Sequence, residues 1–504
     1  MRRRRTIYYN DARHYYLWVF EPPIHLRDAW RPIDEIAGTS IDTFSYGVER
    51  GDGLFYPSKV GLMFGADKRP FHMAYEWRAW QSMQSLIQRG LDPLQVLIDR
   101  AHDKGLDFFA SLRMSGYGGM DQAYQTRPSA SWNQDKRALL ASTLRADFAH
   151  EEVRDHQFAV LEELATRYEV DGIELDFAFT CFYFNPDEAA KHVSTMTKYV
   201  DEISRMVRQR PGGSIPVGVR ILPTEEMCLR AGLDVRTWLQ QGLVDFVVPL
   251  FYPVMVLDPD MPIDWIVQAA HEADVSVYGM LQPYVRDEYT GSPQRRYADP
   301  EILRATAANF WARGVDGLYT WFMHWPLEDT ERRMLTELGD PDLIEEGDKR
   351  YVLRLRNQAA TELGYDANLP LEIEVADPER RHAIPFYIAD DIAGAAERIR
   401  RVRLWISFSN LVSGDQLGIF LNGDSLAGEV CLRDFSRGIG PASAYTLEFH
   451  LERVRPSKGQ NLLEIVLEKR PDELVGGVIV QEMEITVEYG PYPTGLACTR
   501  SIRA

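Results

Sequence analysis

The sequence predicts an α/β protein in which a (β/α)8 TIM barrel is followed by a C-terminal all-β sandwich domain. Over about the first 330 residues, short apolar runs alternate with amphipathic helical patterns, as in consecutive βα units. Glycine or Asp-Gly turns precede several of these runs, as in connections from a helix to a strand. From Tyr351 onward the runs become short and strand-like, with turn signals such as Asn422-Gly423-Asp424 between them.

The barrel elements follow in order along the chain. The first strand is predicted at Thr6–Asn10, at Tyr16–Phe20, or at both as a hairpin. The other seven strands are predicted at Ile41–Val48, Leu106–Met114, Val170–Phe177, Ile215–Leu222, Val244–Tyr252, Val275–Gln282 and Val315–Phe322. Helices are predicted at Tyr75–Arg89, Pro93–Lys104, Glu151–Tyr168, Pro186–Arg208, Pro262–Ala273 and Pro300–Arg313. A doubly wound sheet is the alternative, but no glycine-rich phosphate loop opens a helix.

The domain organisation is predicted from a change in the sequence pattern near Gly339-Asp340-Pro341, where alternating helical and strand-like patterns give way to short strand-like runs. We expect a catalytic barrel at residues 1–340, a β-sandwich domain at 341–491 and a tail at 492–504. The sandwich strands are predicted at Val352–Leu355, Leu371–Val375, Val402–Ser407, Leu417–Leu421, Tyr445–Leu451, Leu462–Leu467 and Gly477–Val487.

Composition limits the classes of partner. The chain has 504 residues and a net charge of −19, which argues against a nucleic acid or an anionic membrane as partner. Four cysteines lie far apart and form no CxxC pair, so a disulfide framework or a structural zinc site is not expected. With no stretch of membrane-spanning length and no signal h-region, we expect a cytoplasmic protein, although a longer precursor could be secreted.

The fourth predicted strand carries two carboxylates on one face. Glu174 and Asp176 alternate with the apolar residues of Val170–Phe177, which is costly unless partners or solvent meet them. The C-terminal ends of barrel strands are where such residues reach substrate. On the neighbouring strands, Arg113 and Arg220 are expected to approach this pair and to keep one carboxylate ionised. An ionised carboxylate suits a glycosidase nucleophile or base, although a buried ion-pair network that only fixes the barrel is the structural alternative.

A glycosidase also needs a proton donor on a different element. Glu226 is the first choice, because it closely follows the fifth predicted strand. The other candidates are loop carboxylates after strands five, six and seven: Glu225, Asp258, Asp287 and Glu288. For each single residue, a solvated loop charge is the more ordinary interpretation.

Further residues are expected to bind substrate at the rim of the barrel. Aromatic rings suit the apolar C–H faces of sugars, and several lie at predicted strand ends: Tyr46, Tyr117, Tyr252, Tyr284, Trp321 and Trp325. Asp11, Asp287 and His324 are polar candidates for contacts with sugar hydroxyls. No metal or other cofactor is expected, because HxH, HxxE and HExxH spacings are absent from the sequence and arginines flank the carboxylates.

The stretch Asp171-Gly172-Ile173-Glu174-Leu175-Asp176-Phe177 resembles the fourth strand of a poorly characterised group of glycosyl-hydrolase-like bacterial barrels with a C-terminal β-domain. Distant similarity to retaining α-glycosidase barrels places Asp176 at their nucleophile position. Amylases carry an arginine where this chain has Glu174, and chitinase-type barrels carry a catalytic glutamate where it has Ala178. These departures argue against both of those chemistries.

The leading hypothesis is a glycoside hydrolase acting on an oligo- or polysaccharide, with Asp176 as nucleophile or base. Glu174, counted with Asp176 and Glu226 among the catalytic candidates, is expected one layer deeper, where it orients the charged network or binds a substrate hydroxyl. A carbohydrate-binding barrel without catalysis is the second hypothesis, because the acid/base pair is incomplete on the sequence. A metal-dependent sugar isomerase or lyase is the third.

Overall fold

The computed structural model of the chain describes residues 4–50, 53–114, 139, 141–143, 145–179, 181–252, 255–286, 295–321, 326–374, 380–436 and 444–490. The chain divides into two compact units. The first comprises residues 1–253, 262–280 and 315–339, and the second comprises 254–261, 281–314 and 340–504. The predicted domain boundaries at residues 340 and 491 stay a prediction.

The strands of the described residues are, in chain order, β1 (Arg5–Asp11), β2 (Thr43–Gly47), β3 (Glu49–Arg50), β4 (Gly53–Leu54), β5 (Leu62–Met63), β6 (Asp107–Arg113), β7 (Gly172–Asp176), β8 (Val217–Ile221), β9 (Phe246–Pro249), β10 (Ser276–Leu281), β11 (Tyr284–Arg286), β12 (Arg295–Tyr297), β13 (Gly317–Thr320), β14 (Lys349–Val352), β15 (Leu371–Ile373), β16 (His382–Ile388), β17 (Ile399–Ser409), β18 (Gln416–Leu421), β19 (Asp424–Ser425), β20 (Val430–Ser436), β21 (Ala444–His450), β22 (Gly459–Lys469) and β23 (Val478–Tyr489).

The α-helices of the described residues are α1 (Ala12–His14), α2 (Leu26–Ala29), α3 (Arg31–Asp34), α4 (Ala74–Ile87), α5 (Pro93–Asp103), α6 (Glu151–Arg167), α7 (Val193–Arg208), α8 (Glu225–Arg230), α9 (Val235–Gln240), α10 (Asp264–Glu272), α11 (Pro300–Ala312), α12 (Asp329–Glu337), α13 (Pro341–Glu345) and α14 (Gln358–Glu362). Local signals begin several of them. The Asp92 side chain, for example, accepts a hydrogen bond from Leu94 N at the start of α5, where Pro93 takes the first position.

The predicted barrel is confirmed. Eight parallel strands close in the order β1-β13-β10-β9-β8-β7-β6-β2. In register, Arg113 of β6 lies beside Asp176 of β7, and Asp176 lies beside Arg220 of β8. Because parallel strands end at the same level, these three side chains reach the same end of the barrel.

The ambiguity at the first strand is resolved in favour of residues 5–11, which form β1 between β13 and β2. Tyr15–Val19 is a π-helical turn and not a second strand of a hairpin. The helix predicted from Pro186 begins as α7 at Val193, after a 3₁₀ turn at Ala189–His192.

The second unit contains the predicted β-sandwich. One antiparallel sheet has the order β14-β23-β17-β21-β20, with β15 beside β23, and the other has the order β16-β22-β18-β19. Residues of both sheets form one apolar core, including Leu404 of β17 and Leu463 of β22. Strands β16 and β20 lie at sheet edges and were not predicted from the sequence. Pro385 interrupts the pattern of β16, and both faces of β20 are exposed, so neither strand shows the alternation of apolar and polar residues that marks a half-buried strand.

None of the helices in the described ranges is both long and apolar enough to cross a membrane. Cys181, Cys228 and Cys431 are free thiols, and Cys498 lies outside the described residues.

Candidate active site

Glu174 lies at the centre of a buried polar layer inside the barrel. Its Oε1 accepts hydrogen bonds from Ser111 Oγ of β6 (2.6 Å), Tyr319 OH of β13 (3.0 Å) and, more weakly, Ser45 Oγ of β2 (3.4 Å). Burial raises the pKa of the Glu174 carboxyl, against the opposing effects of Arg220 and of the hydroxyl donors. Side chains of β2, β6 and β13 therefore all reach the Glu174 carboxylate of β7. This agrees with the alternation of residues along β7, which places Glu174 on the inner face of the barrel.

Arg220 joins the two carboxylates of β7. Its Nε lies 2.9 Å from Glu174 Oε1 and its Nη2 lies 3.2 Å from Asp176 Oδ2. Both are ion-pair distances without the alignment of a hydrogen bond, whereas Nη2 donates a hydrogen bond to Ser111 Oγ at 2.7 Å. The Tyr9 ring lies 4.1 Å from the guanidinium carbon and provides a cation–π contact.

Asp176 ends β7 and is held from its other side by the backbone. Its Oδ1 accepts hydrogen bonds from the Ala178 N–H (3.0 Å) and the Phe179 N–H (2.9 Å). Its Oδ2 has no hydrogen-bond partner among the described residues and only the ion-pair contact with Arg220. Asp176 is 1% exposed, so a substrate could reach this oxygen only after neighbouring side chains move.

Arg113 of β6 organises the second group of charges at this end of the barrel. Its Nη2 donates a hydrogen bond to Asp11 Oδ2 of β1, and its guanidinium carbon lies 4.0 Å from the Phe179 ring centre. Arg13 Nε lies 2.8 Å from the same Asp11 oxygen. Burial alone would raise the pKa of Asp11, but Arg113 and Arg13 hold it well below its usual range.

Aromatic rings pack beside these charges. Trp321 lies edge-on to Tyr9 with ring centres 5.2 Å apart, and tilted against Tyr252 at 5.0 Å. Tyr252 also contacts Phe179 at 4.4 Å and accepts a hydrogen bond from Arg13, while burial raises the pKa of its hydroxyl. Asp11, Arg113, Asp176, Arg220, Tyr252 and Trp321, all expected at the site, therefore lie in one connected set with Glu174.

Other expected residues lie elsewhere. Glu226 of α8 has a side chain that is 82% exposed and lies 4.0 Å from Arg230, and it makes no contact with the buried set. Tyr46 follows Ser45 on β2 and faces the other way, where its ring stacks on Phe44. Strand alternation accounts for this, because a shift of one residue changes the face.

Tyr284 belongs to the second unit, where its ring lies 5.0 Å from that of Tyr297. The candidates that fall outside the described residues are Tyr117, Asp287, Glu288, His324 and Trp325. Asp258 is buried in the second unit, paired with Arg354 at 2.9 Å, and Glu225 pairs with Arg236 at 2.6 Å. Both carboxylates thus have structural partners.

One buried carboxylate at this end of the barrel, Glu49 of β3, was not predicted from the sequence. Arg113 N donates a hydrogen bond to Glu49 Oε1 at 3.3 Å. Continued alternation from Ser45 through Gly47 would have placed Glu49 on the inner face, but the predicted strand ended at Val48.

A divalent metal ion needs several ligands in one place. Among the described residues, no three histidine, cysteine, aspartate or glutamate side chains form a group that could hold one. The carboxylates of the site instead meet guanidinium groups, which satisfy their charge.

Three comparisons show what the chain is similar to. Residues 32–207 match the family described as glycosyl hydrolase-like 10. Glycosyl hydrolase DigH of Escherichia coli (strain K12) is 22% identical over 263 residues, covering 44% of this chain and 56% of that protein, so the match spans little more than half the relative's length. Among solved structures, α-L-fucosidase isoenzyme 2 from Paenibacillus thiaminolyticus has a TM-score of 0.41 and 13% identity, covering 67% of this chain and 48% of that chain.

The matched residues 32–207 contain β2, β6 and β7, and with them Arg113, Glu174 and Asp176. Arg220 and Asp11 lie outside the match but contact residues within it. The predicted resemblance to glycosyl-hydrolase-like barrels is thereby confirmed over residues 32–207, and the chain folds as a (β/α)8 barrel with a C-terminal β-domain.

Proposed function

We propose that this protein is a glycoside hydrolase that acts on an oligo- or polysaccharide, with Asp176 as its nucleophile or base. The observation that carries the proposal is the environment of Asp176 at the C-terminal end of β7. Two backbone N–H groups and Arg220 surround the carboxylate, while Oδ2 keeps a free lone pair. This arrangement stabilises a negative charge and leaves one oxygen for chemistry.

The surroundings fit the transition state of glycosidic cleavage. That transition state resembles an oxocarbenium ion, which a carboxylate stabilises either by bonding to the anomeric carbon or by activating water. Trp321 and Tyr252 supply apolar faces beside the charge, as sugar rings require. The match to the glycosyl hydrolase-like family supports the same reaction class.

A second function, sugar binding without turnover, is favoured by one observation. Glu174, Asp176 and Arg220 are all buried to 1% or less, as expected for an ion-pair network that fixes the barrel. In that case the barrel would bind a glycan at its rim and leave the glycosidic bond intact.

The test is the Asp176→Asn variant, which keeps the shape and deletes the charge. We expect wild-type protein to cleave at least one member of a broad glycan panel. The variant should lose at least about a thousandfold in kcat, because several kcal/mol of transition-state stabilisation disappear. Product release is measured by chromatography and folding by circular dichroism.

Glu202→Gln, on the outer face of α7, is the matched control and should keep wild-type activity. Near wild-type turnover by Asp176→Asn would show that this aspartate is not the catalytic carboxylate. Glycan binding by the wild type without turnover of any glycan would favour the second function.

A further inference from the structure

Glu49 lies on β3, the short strand that follows β2, beside Arg113 of the barrel. It follows Ser45 and Gly47 by four and two residues, and Ser45 points at Glu174 in the barrel interior. The backbone continues to pair beyond β2, since Val48 N donates a hydrogen bond to Ser111 O at 3.1 Å. The Glu49 side chain is completely buried. Its carboxyl group therefore lies at the barrel end that carries Asp176.

The two oxygens of Glu49 have different environments. Oε1 accepts a hydrogen bond from the Arg113 N–H at 3.3 Å and lies 3.7 Å from Arg113 Nη1. Oε2 is buried and has no hydrogen-bond partner among the described residues. An ionised carboxylate with one unsolvated oxygen is unfavourable, whereas a protonated one carries its hydrogen there and donates it to whatever binds.

The charges around Glu49 act in both directions. Burial raises the pKa of Glu49 to about 7, Arg113 opposes this, and the negative charges of Asp11 and Asp176 add to it. Helix α1, which packs against β3, contributes Arg13 and His14, and both act on Asp11.

Asp11 and Glu49 share Arg113, but they share it unequally. The side chain of Arg113 donates to Asp11, which Arg13 also contacts, whereas Glu49 receives mainly a backbone N–H. Their pKa values therefore move in opposite directions, downward for Asp11 and upward for Glu49. When the pKa values of carboxyl groups at one site are moved apart, the group with the low pKa serves as the charged group and the group with the high pKa serves as the proton donor.

We propose that Glu49 is the general acid of the site and donates the proton on Oε2 to the glycosidic oxygen. This proposal rests on the glycosidase function proposed above. As the bond between the anomeric carbon and that oxygen breaks, its electron pair stays with the oxygen, which takes the proton and leaves as a hydroxyl. Asp176 bonds to the anomeric carbon, or removes a proton from the water that does so. In the first case water then attacks the anomeric carbon, the bond to Asp176 breaks to leave its carboxylate, and Glu49 takes the proton of that water. In the second case Asp176 releases its proton to solvent and Glu49 takes one up from solvent.

The first experiment measures the proton itself and needs no substrate. Infrared spectra of the full chain are recorded from pH 5 to 9, and the carbonyl band of a protonated carboxyl group is followed. We expect a band that is lost as pH rises through about 7 and is absent from Glu49→Gln. Glu174→Gln serves as comparison, because burial also raises the pKa of Glu174. The proposal would be overturned if the wild type shows no band that titrates near pH 7, or if that band persists in Glu49→Gln and disappears in Glu174→Gln.

The second experiment uses leaving groups. Glu49→Gln should lose about 100- to 10,000-fold in kcat on a natural glycan and far less on an activated aryl glycoside, whose leaving group needs little protonation. Asp176→Asn should lose turnover on both. Wild-type kcat/KM should fall as pH rises through about 7, because only protonated Glu49 donates, and this limb should disappear in the variant.

The outcomes separate the two proposals. If the wild type cleaves no glycan, the glycosidase function fails, while the infrared titration still decides whether Glu49 holds a proton. If the wild type is active and Glu49→Gln cleaves the natural glycan normally, Glu49 is not the acid and the glycosidase function stands. If Glu226→Gln loses more kcat on a natural glycan than on an activated aryl glycoside, and Glu49→Gln shows no such difference, the general acid is Glu226 of α8. Circular dichroism and the less drastic Glu49→Asp exclude misfolding as the cause.

Discussion

Arg220 is the residue on which the inner polar layer depends. One guanidinium group lies within ion-pair distance of both Glu174 and Asp176, donates to Ser111 and packs on the Tyr9 ring. The two carboxylates belong to one strand and point the same way, so without a cation between them they would repel each other in the buried interior.

Arg220→Met should therefore destabilise the protein by about 3–5 kcal/mol, because it leaves buried carboxylates without a partner. Urea unfolding followed by circular dichroism measures the effect. Arg205→Met is the matched control, since Arg205 pairs with Asp201 at 2.7 Å on the exposed surface of α7. The control should leave the free energy of unfolding nearly unchanged, because solvent screens this exposed pair. Equal losses for the two variants would contradict the structural importance of Arg220.

At the scale of the strand, glycine makes room for aromatic packing inside the barrel. A Cβ atom at Gly218 of β8 would lie 1.8 Å from Phe246 Cζ, and one at Gly172 of β7 would lie 2.6 Å from Phe109 Cδ1. The two phenylalanine rings stack with centres 5.5 Å apart. The glycines thus allow a layer of rings to fill the barrel below the polar layer.

Gly218→Ala should destabilise the protein by about 1–3 kcal/mol, because the Phe246 ring is packed between Phe109 and Tyr278 and has little room to move. Urea unfolding gives the magnitude. Adding Phe246→Leu should recover part of the loss, since the smaller side chain frees the space that the methyl group needs. If the stability loss of the double variant equals or exceeds the sum of the losses of the two single variants, the added methyl group does not act through Phe246.

At the scale of the whole molecule, the second compact unit takes residues from three parts of the chain. Helix α11 packs against β14 and β16, and its Ala305 belongs to the apolar core of the sandwich. Asn309 Nδ2 donates to Tyr387 O at 3.0 Å, and Asp258 pairs with Arg354 at 2.9 Å. Segments that precede residue 340 therefore complete this unit.

A fragment of residues 341–490 should consequently be unstable, although the sequence places a domain boundary before it. Loss of α11 exposes apolar core, and loss of Asp258 leaves Arg354 without its carboxylate. We expect the fragment to bind a hydrophobic dye and to melt without a cooperative transition, whereas the full chain melts cooperatively. A fragment that melts cooperatively at the temperature of the full chain would contradict this dependence on α11.

Much of the barrel was predictable from the sequence because its signals are local. The strand predicted at Ile215–Leu222 is observed at Val217–Ile221, and the one at Val244–Tyr252 is observed at Phe246–Pro249. Apolar runs and glycine turns mark strands without knowledge of their partners. The sequence also predicted that Glu174 and Asp176 share a face and that Arg220 meets them, because neighbouring parallel strands end at one level. Arg113, which was expected beside the same pair, instead forms its ion pairs with Asp11 and Glu49.

Tertiary structure decided which carboxylate takes which environment. Exposure of Glu226 depends on how α8 lies on the barrel, and the position of Glu49 beside Arg113 depends on a backbone that continues to pair past β2. Nothing in the sequence says that Arg113 binds the Asp11 side chain and leaves one Glu49 oxygen without a partner. Burial and charge separation set the pKa of a carboxyl group, and both arise only when distant segments pack together. The sequence by itself thus determined the barrel and the pair of carboxylates on β7, while the folded chain decided which carboxyl groups are buried and which of them meet a guanidinium group.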